Sequence, residues 1–110
     1  MIGIECSVWN NGRNGWGLKV LGGTHVRLMH FRRDQSPILV ELDGASFPLN
    51  VDKKSFWTKD CGELIGVALR SWIVRHGLTT GDRVWLEVVE RHHRFKAVRV
   101  RVTFSTKEVA

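Results

Sequence analysis

Residues 55–89 read SFWTKDCGELIGVALRSWIVRHGLTTGDRVWLEVV, and they hold the one strong helical pattern in a chain that is otherwise strand-like. Leu64, Ile65, Ala68, Leu69, Trp72 and Ile73 recur at three- and four-residue spacing, which gathers them on one helical face. Asp60 with Glu63 three residues on predicts a capping pair, and Gly77 fits a left-handed stop. One principal helix is therefore expected near residues 60–76. Leu78 to Asp82 supplies a turn, after which the period changes to two: Val84, Leu86 and Val88 share one face of a strand, Arg83, Trp85 and Glu87 the other.

Working outward, Ile2, Ile4, Cys6 and Val8 alternate, the Asn/Gly run 10–15 breaks the pattern, and Trp16, Leu18 and Val20 resume it, which is a hairpin signature. Leu21-Gly22-Gly23 then turns the chain toward an expected strand over residues 25–31. Ile38, Val40 and Leu42 alternate next, Asp43-Gly44 marks a tight turn, and Phe47, Leu49 and Val51 alternate around Pro48, which restricts that strand to an edge. Downstream, residues 90–94 turn into a last strand over 95–104, expected to point Val98, Val100, Val102 and Phe104 inward. The fold class is mainly β, a β-rich α+β domain: a small curled sheet or pseudobarrel of about seven strands with one principal helix.

Its 110 residues fit a single domain spanning 1–110, large enough for a core without metal or disulfide support. Cys6 and Cys61 are expected to be buried thiols. No apolar run approaches the ~18 residues that cross a bilayer, and the start carries no secretory signature, so the expected address is cytoplasmic with no membrane partner.

The segment 64–89, an amphipathic helix ending in LRSWIVRHGL followed by TTGDRVWLEV, resembles the helix, Gly-Asp turn and strand of DNA-binding pseudobarrel proteins, the B3 and AbrB-like group. It covers about a quarter of the chain, which lacks the Leu-Pro-rich first strand and early second helix of B3 domains. The resemblance implies a DNA-binding pseudobarrel. Gly15-Trp16-Gly17-Leu18 with Ser55-Phe56-Trp57, Cys61 and Glu63-Leu64 also resembles small uncharacterised bacterial proteins associated with mobile DNA, which implies no particular activity.

Lys plus Arg number 17 against 11 acidic residues, a formal charge of +6, so polyanions are attracted and nucleic acid is the expected partner. The basic residues gather at turns and outer faces: Arg13, Arg32-Arg33, Lys53-Lys54, and the run Arg91-His92-His93-Arg94. Arg99 and Arg101 are expected on the face of the last strand nearest Arg83 and Trp85, giving an arginine stripe with an outward indole for phosphates and bases. The nucleic-acid candidates are thus Arg13, Lys53, Lys54, Arg83, Trp85, Arg91, Arg94, Arg99 and Arg101. The competing reading of the stripe is a solvated face on which Glu87 neutralises one Arg.

Five tryptophans accompany no tyrosine. Trp72 and Trp57 read as core or staple residues, whereas Trp9, Trp16 and Trp85 form the alternative candidate, a ligand pocket or a subunit interface such as a homodimer's. His92 and His93 are adjacent and point apart, with no third ligand at useful spacing, so no metal or other cofactor is expected. With no nucleophile elbow, phosphate loop or paired-carboxylate motif, no catalytic residue is named and the expected function is recognition.

Overall fold

Ile4, Cys6, Val8, Leu18, Val20, Ile38, Val40, Leu42, Val84 and Leu86 are almost wholly withdrawn from solvent in the computed structural model, which describes residues 2–10, 12 and 15–100. These are the alternate positions of the expected strands. Their burial curls one seven-stranded sheet into a half-barrel around a single apolar core. The elements run β1 (Gly3–Asn10), β2 (Trp16–Val20), α1 (Thr24–His30), β3 (Ile38–Leu42), β4 (Ala45–Leu49), α2 (Lys54–Thr58), β5 (Gly62–Leu64), α3 (Val67–Arg75), β6 (Arg83–Glu90) and β7 (Arg94–Arg99). Across the sheet the order is β4-β3-β7-β6-β1-β2-β5. Each neighbouring pair is antiparallel except β3 with β7.

The helix, turn and strand of the deciding segment form as expected at their C-terminal end. Leu69, Trp72 and Ile73 bury the inner face of α3, which packs on β2 and β3. Gly77 takes the left-handed conformation (φ 65°), its N–H donates to Val74 O, and Leu78 N–H donates to Ile73 O, a Schellman closure. At its start the helix is shorter than expected. Residues 62–64 pair with β2 instead, Leu64 opposite Leu18, so the Asp60/Glu63 capping pair does not form and α3 begins after Gly66.

Two further expectations are corrected. Residues 25–31 are not a strand: Gly22 and Gly23, both at positive φ, redirect the chain into α1, whose buried face is Arg27, with Phe31 just beyond its end. Phe31 sits between Phe56 and Phe95, with ring centroids 5.3 and 5.2 Å away, and that aromatic cluster outweighs the local alternation. In β7 the inward residues are Phe95 and Ala97, whereas Val98 and Val100 are exposed. A bulge between Val88 and Glu90 sets this phase, placing Val98 beside Trp85 and Arg99 beside Val84. Pro48 lies in β4, at one edge of the sheet, as its missing N–H requires.

Candidate nucleic-acid interface

The arginine stripe expected on β6 and β7 does not assemble. Arg83 and Trp85 do share the outer face, but Arg99, opposite the inward Val84, belongs to the concave side. Arg94 lies on the outer face at the far end of the hairpin, six residues from the level of Arg83, or about 20 Å along a strand. Arg13 and Arg101 lie outside the described residues. Acidic neighbours from other strands also neutralise this face: Arg83 pairs with Glu5 at 3.4 Å, Arg94 with Glu90 at 3.9 Å, and Lys96 with Glu41 at 3.9 Å. Exposed pairs of this kind contribute little to stability, but they cancel the field a phosphate would meet.

Nor do Trp9, Trp16 and Trp85 line one concavity. Trp9 faces outward, with the Lys19 ammonium 4.9 Å from its ring centroid, while Trp16 lies on the opposite phase and packs against the core. Trp85 also faces outward, over Gly3 and opposite Glu5, four residues along β1 from the level of Trp9, or about 13 Å.

Cations without acidic partners lie instead around α1 and α2, which approach each other through Phe31 and Phe56. Arg33, Lys53 and Lys54 are exposed and form no ion pair among the described residues, whereas Arg32 is held by Asp34 at 2.7 Å. Lys54, in the first turn of α2, precedes Trp57 by three residues and so shares its side of the helix, while Lys53 is the extended N-cap residue just before it (φ −70°, ψ 139°). The Arg33 guanidinium carbon lies 5.7 Å from the Trp57 ring centroid, within cation–π range. Between the two helices runs an open groove of about 550 Å³, lined by Leu28, Phe31 and Trp57 with Arg32, Arg33, Asp34 and Thr24 around it. Lys53 borders a separate cavity of about 400 Å³, with Asn50, Ser55 and Lys59.

The β6–β7 turn reaches α1. His92 Nε2 is 3.2 Å from the Met29 carbonyl, and burial, then the charges of His92 and Arg91, lower the pKa of His30. Exposed Arg91 adds positive charge beside His30 of α1. Of the sequence candidates, Lys53 and Lys54 lie at the start of α2 and Arg91 on the turn beside α1; Arg94, three residues beyond Arg91, lies at the same end of the hairpin but is paired with Glu90, whereas Arg83, Trp85 and Arg99 lie away from it. Sequence reasoning missed the groove itself, because Leu28 sits on a segment read as a strand; the available signal was Trp57 following Lys53-Lys54.

Arg27 is the one buried charged residue among those described. Its Nη2 donates to Lys59 O at 2.7 Å and to Thr24 Oγ1 at 3.2 Å, tying α1 to the α2–β5 connection, while Nε and Nη1 find no acceptor. Cys6 is buried and Cys61 half-buried, both as free thiols; burial, with a smaller contribution from Glu5, pushes the Cys6 thiol far above its ordinary pKa. Among the described residues no three His, Cys, Asp or Glu side chains are grouped to hold a metal, and no helix is long and apolar enough to cross a membrane.

Comparison with family models, with curated proteins and with solved structures found no match to this chain.

Proposed function

We propose that this chain is a nucleic-acid-binding module that recognises its ligand without transforming it, DNA being the polymer implied by the resemblance of residues 64–89. The observation that carries the reading is that Arg33, in cation–π range of Trp57, and Lys53 and Lys54, at the start of the helix that bears Trp57, are exposed with no ion pair among the described residues, while the arginines of the outer sheet face are neutralised by glutamates. Unpaired cations attract phosphates through the release of condensed counterions, and an indole beside them offers a π face to a base or sugar. The formal charge of +6 adds long-range steering.

Binding of a labelled oligonucleotide across a salt series tests this, with the triple variant Arg33→Ala/Lys53→Ala/Lys54→Ala set against the sheet-face pair Arg83→Ala/Arg94→Ala. The triple variant is expected to lose about ten-fold or more in affinity at low salt and to flatten the log–log salt slope by roughly 2–3. The sheet-face variant should stay within about three-fold of the parent, because each arginine it removes already has a carboxylate neighbour. Absence of binding to any nucleic acid at low salt would overturn the proposal.

A further inference from the structure

Resting on that reading, we infer that the groove between α1 and α2 is a stacking subsite for an unpaired nucleobase, so that the ligand is a single strand in preference to a duplex. The groove's volume of about 550 Å³ falls within the ~300–1,000 Å³ range of small-molecule sites. Leu28 and Phe31 make its apolar side and Trp57 its aromatic one. Leu28 is 63% exposed, so an apolar ring entering the groove would cover it.

Trp57 is already fixed for the task. Its Nε1 donates to Val51 O at 2.6 Å, and its ring stands edge-to-face against Phe56 with centroids 5.1 Å apart. The polar edge of the indole is thereby satisfied inside the protein, and no rotamer freedom remains to be lost when a ring stacks on it. Arg33 supplies a second planar group over the same ring, of the kind on which unstacked bases also lie.

Charge selects the occupant. An apolar helix of a protein partner would desolvate Arg33 without pairing it, whereas the phosphates flanking a base would pair Arg33 in the groove's lining, with Lys54 three residues before Trp57 on α2. Asp34 does not oppose this, because Arg32 holds its carboxylate through two hydrogen bonds, at 3.1 and 2.7 Å. A duplex keeps its bases stacked and paired and can present only phosphates and groove edges here, so the stacking contribution is reserved for single strands.

The test measures the affinity of the full chain for a mixed-sequence single strand and for the corresponding duplex, using Leu28→Glu and Met29→Glu side by side. Both substitutions place the same charge on exposed positions of α1, but only Leu28 lines the groove. The parent should bind the single strand at least about ten-fold more tightly, and Leu28→Glu should weaken single-strand binding about ten-fold beyond the loss in Met29→Glu, with equal losses for duplex. Trp57→Leu, which retains apolar volume, should erase the single-strand preference with the fold checked by thermal melting. Equal affinity for both ligands, together with equal losses in the two glutamate variants, would overturn the stacking subsite and leave phosphate binding standing. No binding to either ligand at low salt would overturn the underlying nucleic-acid reading as well.

Discussion

The indole Nε1–H of Trp72 donates to Asp43 Oδ1 at 3.0 Å, joining the buried face of α3 to the turn between β3 and β4. Asp43 sits in the left-handed region (φ 53°) ahead of Gly44 (φ 89°), which aims its carboxylate back across the helix end. There it also accepts from Arg75 at 3.1 and 3.2 Å and meets His76 Nε2 at 2.9 Å. The hydrogen bond with His76 is the largest influence and lowers its pKa; desolvation, next in size, opposes it, and the hydrogen bonds with Trp72 and Arg75 leave the carboxyl below its ordinary value. A depressed carboxylate contributes stability that is present above the unfolded-state pKa and is lost as pH falls through the folded one. Asp43→Asn, which tolerates the same backbone, is therefore expected to be less stable than the parent near neutral pH and to converge with it in strong acid. Urea melts at both extremes check this; a constant difference would show that charge is not the cause. Trp72→Phe should cost about 2 kcal/mol, from the lost donor and the lost buried volume together.

Arg27 invites the opposite expectation. A buried guanidinium with two unpaired nitrogens carries a desolvation cost that its two hydrogen bonds offset only in part. Arg27→Met, similar in length, is expected to lie within about 1 kcal/mol of the parent or above it in stability, while Arg27→Ala should fall by about 2–4 kcal/mol through the cavity it opens. If Met costs as much as Ala in chemical denaturation, the charge itself holds α1 in place.

The same residue explains why part of the fold was hidden in the sequence. The α3–β6 segment was legible because Leu69, Trp72 and Ile73 keep helical spacing and Gly77 closes it, so local pattern and tertiary burial agree. In α1 the buried face is carried by a charged residue followed four positions later by Phe31, and the eye follows Val26 and Leu28 instead. β5 is three residues long, too short for any period, and exists because β2 pairs with it. The β7 phase was ambiguous in principle, since Phe95-Ala97 and Val98-Val100 both alternate; a bulge in the partner strand decided between them. The supposed basic stripe failed for a topological reason, because Glu5 and Glu41 arrive beside it from β1 and β3. Lys53 and Lys54 could be picked out locally, but the groove between Leu28 and Trp57 needed α1 and α2 brought together.

Gly62 shows how tightly that junction is packed. A Cβ there would lie 2.8 Å from Phe56 Cε1 and 2.9 Å from Arg27 Cδ, and the Phe56 ring is itself buried between Phe31 and Trp57. Gly62→Ala is accordingly expected to cost about 1–3 kcal/mol in a thermal or urea melt, although alanine is the better residue in most extended backbone. A neutral or stabilising result would show that α1 and α2 can separate slightly, and would predict a wider groove beside Trp57.

His30 gives the last expectation, a pH dependence opposite in sense to that of a salt-bridged histidine. Burial is the main cause of its lowered pKa, and His92 and Arg91 add positive charge from the β6–β7 turn. In the unfolded chain neither effect operates, so the unfolded state takes up the proton first. The contribution is therefore complete above the ordinary imidazole pKa and is lost as pH falls through it, levelling once the folded His30 is also protonated. His30→Gln should show a shallower loss of stability on acidification across that range than the parent, measured by urea midpoints. Arg91→Ala and His92→Gln should each move the His30 titration midpoint upward when followed by its imidazole proton resonance, leaving the residual depression due to burial. An unmoved midpoint in both variants would mean that solvent screens the charges of the turn from His30 and that burial alone lowers its pKa.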